Sequence, residues 1–139
     1  MSVDFDFADY VPEDSLIEEG HTYEWPTEGS GFWVTVGYLY SPEYEQSLAK
    51  YQRKFAMNGR RRNQVERRAT IYALAETVFR KYAPHAVFKG EELHNSMDSR
   101  VKLLTVSRDL YTSVIEESTD LANFRSEVLE EQGKGSASD

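Results

Sequence analysis

Cysteine is absent from this chain, which excludes a disulfide framework and a thiolate zinc site. Long apolar runs are missing as well. None approaches the roughly 20 residues of a membrane-spanning helix, so no membrane partner is expected. The first 28 residues contain neither lysine nor arginine. A secretory signal needs a basic region ahead of an apolar stretch, and none is read there. Glycine-rich phosphate loops and a Gly-x-Ser-x-Gly elbow are lacking, which removes the usual nucleotide and hydrolase signatures. The three histidines do not follow a metal-ligand spacing. His85 and His94 flank Glu91-Glu92, but nothing in the sequence fixes their geometry. Adjacent carboxylates such as Glu18-Glu19, Glu91-Glu92 and Glu116-Glu117 point about 100° apart on a helix and do not converge as an acid–base pair. No catalytic residue, metal or cofactor is expected.

What is present is a charge asymmetry. The 139 residues carry a net charge of −8, and the length suits one domain with a single core. Residues 1–28 hold nine acidic side chains. Residues 42–90 hold eleven basic against four acidic, and residues 91–139 five basic against eleven acidic. The acidic flanks can screen the basic middle, within one chain or between copies. An acidic whole is a poor platform for phosphate neutralisation, so nucleic acid is not the expected partner.

Residues 1–20 mix aromatics with acids, and Pro12 and Gly20 break regular structure, so this segment reads as a flexible acidic arm. The Asp4, Asp6, Asp9 spacing lacks the glycine turn and terminal glutamate of a calcium loop. Residues 21–131 read as one domain. Within it, 21–40 is a β element: a short strand over 22–25 stopped by Pro26, a turn at Gly29-Ser30-Gly31, and a second strand over 32–40 that is apolar on both faces. A small domain struggles to cover both faces. Self-association through this strand is therefore expected, by edge pairing or face packing.

Residues 41–131 read as helical. Ser41 is a good N-cap with Pro42 behind it, and Tyr44, Leu48, Tyr51 and Phe55 make an apolar stripe. Asn58-Gly59 ends this helix. A second helix is predicted over 63–82, stopped by Pro84, followed by a loop over 83–95. Ser96 caps a third helix containing Val101, Leu103 and Leu104. A fourth runs over 107–130 with Leu110, Val114, Leu121, Phe124 and Val128 on one stripe. Residues 132–139 form a flexible tail. The fold expected is mainly α, a small bundle of about four helices with a short N-terminal β-hairpin or strand element. Val78, Leu104, Leu110 and Phe124 are the expected core.

The sharpest candidate for binding is basic: Arg60, Arg61, Arg62, Arg67 and Arg68 fall within nine positions at a helix start. Interleaved exposed aromatics for single strands and a helix-turn-helix pair are missing. The cluster is therefore expected to pair with acidic segments such as 4–9 or 127–131, or with an acidic partner. Together with Phe32, Trp33, Tyr44, Leu48, Tyr51 and Phe55, these arginines make the candidate partner-binding set.

The order of these signals resembles the tail assembly chaperones of long-tailed, siphovirus-like bacteriophages. In this chain Phe32-Trp33-Val34 leads to Ser41-Pro42-Glu43-Tyr44. Then come Ala73-Leu74-Ala75-Glu76-Thr77-Val78-Phe79 and Lys89-Gly90-Glu91-Glu92-Leu93. Leu103-Leu104 and Leu121-Ala122-Asn123-Phe124 follow, ahead of a charged tail. The resemblance covers residues 22–131. Two features depart from the family: Lys81-Tyr82-Ala83-Pro84 stands where a Trp often follows the long helix, and His94-Asn95-Ser96 stands where a Pro-aromatic-Ser/Thr helix start is usual. The resemblance implies a non-enzymatic protein of the host cell cytoplasm that coats the tape measure protein, or another phage tail protein, and is absent from the mature virion. The alternatives are a structural head–tail adaptor or tail completion protein, and a small nucleic-acid-binding regulator.

Overall fold

The computed structural model describes residues 6–57 and 61–126. A 3-10 turn over Phe7–Tyr10 and a short helix, α1 (Asp14–Glu19), precede strand β1 (His21–Glu24). β2 (Trp33–Val36) returns antiparallel to β1, with Tyr23 opposite Val34. Helices α2 (Pro42–Ala56) and α3 (Arg62–Ala73) follow, and α3 widens into a π turn over Leu74–Val78 that runs directly into β3 (Phe79–Ala83). The sheet order is β1-β2-β3. β4 (Ala86–Phe88) and β5 (Glu91–Leu93) form a separate hairpin, and α4 (Met97–Val106), α5 (Arg108–Thr119) and a 3-10 turn over Leu121–Phe124 complete the described residues.

The architecture is thus α+β, with five helices and two small antiparallel sheets. The expected mainly α bundle of four helices is not what forms. The largest departure lies in the segment predicted as one helix over 63–82. Its last residues leave the helix and pair with β2, Trp33 opposite Ala83 and Val34 opposite Tyr82. The register skips Arg80: Thr35 faces Lys81 and Val36 faces Phe79. This bulge puts Phe79 and Tyr82, three residues apart, on the same buried face. A spacing of three normally signals a helix, and here a bulged strand satisfies it. The predicted loop over 83–95 is the β4–β5 hairpin. Lys89 and Gly90 both have positive φ, 50° and 81°, as a two-residue primed turn requires. The Tyr82 hydroxyl donates to the Leu93 carbonyl at 2.7 Å, fastening the hairpin to the sheet.

The caps predicted at Ser41 and Ser96 form, and Ser107, at the predicted start of the last helix, caps it as well. The Ser41, Ser96 and Ser107 hydroxyls accept from the backbone N–H groups of Tyr44, Ser99 and Leu110, at 3.2, 3.1 and 3.1 Å. The last helix ends at Thr119, where Asp120 leaves helical geometry and caps the following turn. The predicted stop at Asn58-Gly59, the residue Val128, the acidic run 127–131 and the tail 132–139 lie outside the described residues.

Two apolar cores stand on either side of α3. One joins the sheet to α4 and α5 through Val34, Val36, Leu74, Val78, Phe79, Leu104, Leu110 and Val114. The other lies between α2 and α3, where Tyr51 and Phe55 pack on Val65, Ala69 and Ala73. The two alanines let the helix axes approach closely. Val78, Leu104, Leu110 and Phe124 are all buried.

β2 is the central strand, so both its edges are paired. Val34, Thr35 and Val36 are buried within the chain itself, and Trp33 alone of the strand is 44% exposed. Of the strand predicted over residues 32–40, only Trp33–Val36 form β2, which β1, β3 and the helices cover, while Tyr40 beyond it is exposed. Segment 6–20, expected to be a flexible arm, is tied to the body by two arginines. Arg80 donates to the Glu18 and Ile17 carbonyls, each at 2.8 Å. Arg125 donates to the Ala8 and Val11 carbonyls at 2.6 and 2.7 Å. Arg80 lies so close over Gly37 that a Cβ there would meet its Nη2 at 2.6 Å.

The π turn is held by a single carboxylate. Ser47, Lys50 and Tyr51, on one face of α2, all donate to Glu76, at distances from 2.6 to 3.0 Å. Burial pushes the Glu76 carboxyl up, but these three hydrogen bonds and the Lys50 charge outweigh it and hold it below its usual value. A depressed carboxyl stabilises the fold above its unfolded-state value near 4.5, and that stability fades as pH falls through the lower folded value. Wild type should therefore lose stability on acidification more steeply than Glu76→Gln, which has no such proton to bind. Melting temperatures taken across the acid range decide this, and parallel curves for the two proteins would contradict it. Phe124 packs against Tyr38 and His21 with ring centroids 5.0 and 6.5 Å away. Phe124→Ala should cost about 3–5 kcal/mol in urea unfolding. A loss below about 1 kcal/mol would mean that the terminal turn is not packed as described.

Candidate partner-binding groove

The arginine-bearing helix sets one wall of a groove. Gln64, Arg67, Arg68, Ile71 and Tyr72 lie at i, i+3, i+4, i+7 and i+8 along α3, which places them on one face. Val101 and Thr105 of α4 stand opposite, and the hollow between them measures about 340 Å³. A second hollow of about 120 Å³, between Arg67, Leu104, Arg108 and Tyr111, adjoins the first at Arg67. The floor is apolar: Ile71 and Leu104 are buried, while Tyr72, Val101 and Tyr111 are half-buried. The rim is basic.

The groove exists because α4 is anchored elsewhere. Its Arg100 Nε donates to the Ala75 carbonyl in the π turn at 3.0 Å, and Leu103 and Leu104 join the sheet core. α4 therefore meets the C-terminal end of α3 and stands away from its N-terminal half.

Arg68 is held in place by aromatic rings. Its guanidinium lies 4.8 Å from the centroid of Phe55 and 5.4 Å from that of Tyr72. Its hydrogen bonding is poor. Nη2 reaches the Tyr72 hydroxyl at a long 3.4 Å, and the buried Nε has no acceptor among the described residues. Arg67 and Arg108 form no ion pair among the described residues, and Arg62 pairs with Glu66 of its own helix at 3.3 Å. The acidic segment 4–9 was expected to neutralise this cluster. Asp9 instead faces Arg125 at 3.7 Å, and Asp4 lies outside the described residues.

The predicted partner-binding residues divide. Arg67 and Arg68 reach the groove, Arg61 and Arg62 are exposed beside it in sequence, and Arg60 lies outside the described residues. Tyr51 and Phe55 are buried between α2 and α3, with Tyr44 and Leu48 half-buried against them. Phe32 packs on Tyr82 and Trp25 in the sheet core. The aromatic stripe of α2 is therefore mainly core, and it reaches the groove only indirectly, through Phe55 beneath Arg68. Sequence reasoning missed Gln64, Ile71, Tyr72, Val101, Thr105, Arg108 and Tyr111 as groove residues. The i, i+3, i+4, i+7 pattern around Arg67 and Arg68 was a usable signal for the α3 wall. Nothing in the sequence joined Arg108 to it.

Ser47 and Lys50 are both committed to Glu76. His85 and His94 each approach Glu92, at 3.8 and 3.4 Å, but no group of three or more metal-ligating side chains is suitably placed among the described residues. No family model matches the chain, and no curated protein or solved structure matches it either.

The stacking makes Arg68 part of the fold and leaves Arg67 on its surface. Arg68→Ala should cost about 1 kcal/mol, the order of a partly desolvated cation–aromatic contact. Arg67→Ala should stay within about 0.5 kcal/mol of wild type. Chemical denaturation of the two variants tests this, and equal losses would contradict the assignment.

Proposed function

We propose that this chain is a tail assembly chaperone of a long-tailed bacteriophage. It binds the tape measure protein in the host cytoplasm, keeps it soluble until tail tube subunits replace it, and leaves before the particle is complete. It catalyses no reaction. The observation that carries this reading is the groove: an apolar floor between helices, open to solvent and rimmed by arginines with no acidic partners among the described residues. A helix laid into such a groove buries its apolar stripe without any change of fold. The order of sequence signals over residues 22–131 supports the same reading, and a net charge of −8 helps keep a complex with an apolar partner dispersed. No helix among the described residues is long and apolar enough to cross a membrane.

The head–tail adaptor alternative uses the β element of residues 21–40 for sheet augmentation. β2 is paired on both sides, so sheet augmentation would have to use the outer strands β1 or β3. The nucleic-acid alternative meets the same opposing net charge as before.

Co-expression with the tape measure protein of the same genome tests the proposal. The tape measure protein should become soluble and co-purify with this chain, and purified particles should lack the chain. Equal solubility without this chain, or stoichiometric amounts of it in mature particles, would overturn the reading.

A further inference from the structure

We infer that the groove between α3 and the α4–α5 corner accepts one acidic amphipathic helix of the partner, with its apolar edge on Tyr72, Val101 and Tyr111 and its carboxylates on Arg67, Arg68 and Arg108. This rests on the partner-binding reading above and adds to it the chemistry of the bound segment.

Size argues for side-chain anchors. The larger hollow, about 340 Å³, stands at the bottom of the range of about 300–1,000 Å³ in which small-molecule sites fall. It is shallow and open along the helices, as suits a few aliphatic anchors from a neighbouring helix rather than an enclosed ligand. Charge sets the sign of the occupant. Three arginines from two helices meet around an apolar floor, and none of them has a carboxylate partner among the described residues. Arg68 is already immobilised over Phe55 and Tyr72, so a carboxylate that meets it has less side-chain freedom to arrest. Arginine forks favour carboxylate and phosphate alike. The apolar lining separates the two: a nucleic-acid backbone has no aliphatic stripe to place on Tyr72, Val101 and Tyr111.

The test is fluorescence anisotropy with the full-length chain and labelled peptides of about 18 residues, long enough to form several helical turns. One peptide carries a leucine stripe flanked by glutamates. A second has glutamine for every glutamate, a third is a scramble of the first, and a single-stranded oligonucleotide is the fourth probe. The first peptide should bind, and the glutamine form should bind about tenfold more weakly, as expected from the loss of one or two charge-assisted hydrogen bonds. Arg67→Glu and Arg108→Glu, both on exposed residues, should each weaken the first peptide by a similar factor while melting normally. Thr105→Trp, which fills the groove without altering charge, should weaken both helical peptides. Equal binding of the scramble, preferential binding of the oligonucleotide, or indifference to all three substitutions would overturn the inference. The two readings fail separately. If the tape measure protein is held undiminished by Arg67→Glu and Arg108→Glu, the groove is not its site and the chaperone reading stands. If the acidic peptide binds as expected while the tape measure protein is not held, the chaperone reading fails and the groove assignment stands.

Discussion

The pairing of β3 on β2, with Arg80 as the unpaired residue, organises the rest of this molecule. The bulge turns Phe79 and Tyr82 toward the same core, where both are buried. It turns Arg80 the other way, over Gly37 and onto the carbonyls that end α1. It also fixes where α3 must end. The chain enters β3 straight from the helix, with no connecting loop, so the helix has to change pitch at its end. The π turn over Leu74–Val78 is that change of pitch, and wider helical turns of this kind are uncommon enough to need support from their surroundings. Here the support is Glu76, held by three donors on α2.

From this follows the placement of the helices. α2 is locked to α3 by the Glu76 contacts at one end and by the ring stack of Tyr51, Phe55 and Tyr72 along its length. α4 docks on the π turn and on the sheet core. The N-terminal half of α3 therefore has a packed face toward α2 and an open face toward α4. The groove is the space that remains, edged by Arg67 and Arg68 of α3 and Arg108 of α5.

The distribution of charge shows the same division of labour. The arginines that secure the N-terminal segment are Arg80 and Arg125, isolated in sequence and aimed at backbone carbonyls. Among the described residues, the clustered arginines of α3 form no ion pair beyond their own helix, and Arg68 rests on its two rings. Arg80 reaches two carbonyls with two nitrogens and Arg125 reaches two with one, and both tie the N-terminal segment to the body.

What could be read from the sequence was local. Ser41 and Ser96 announced helix starts because an N-cap acts on a neighbour within three residues. Phe124, Leu110, Leu104 and Val78 announced burial through their size and helical spacing. Turn chemistry at Gly29 to Gly31 announced the first hairpin, although Lys89-Gly90 passed as a loop. The tertiary structure decided what depends on distant partners. Residues 79–83 carry aromatic side chains compatible with either helix or strand, and it was the open edge of β2, more than 40 positions earlier in the chain, that selected the strand. The same holds for the site. Arg67 and Arg68 could be found by composition, but Arg108 joined them only because α4 and α5 turn back across α3. Tyr51 and Phe55 resembled a docking stripe until Ala69 and Ala73 supplied a surface smooth enough to bury them. Local propensity acts over a few residues, whereas the choice between strand and helix, or between core and surface, rests on contacts that exist only once the chain has folded.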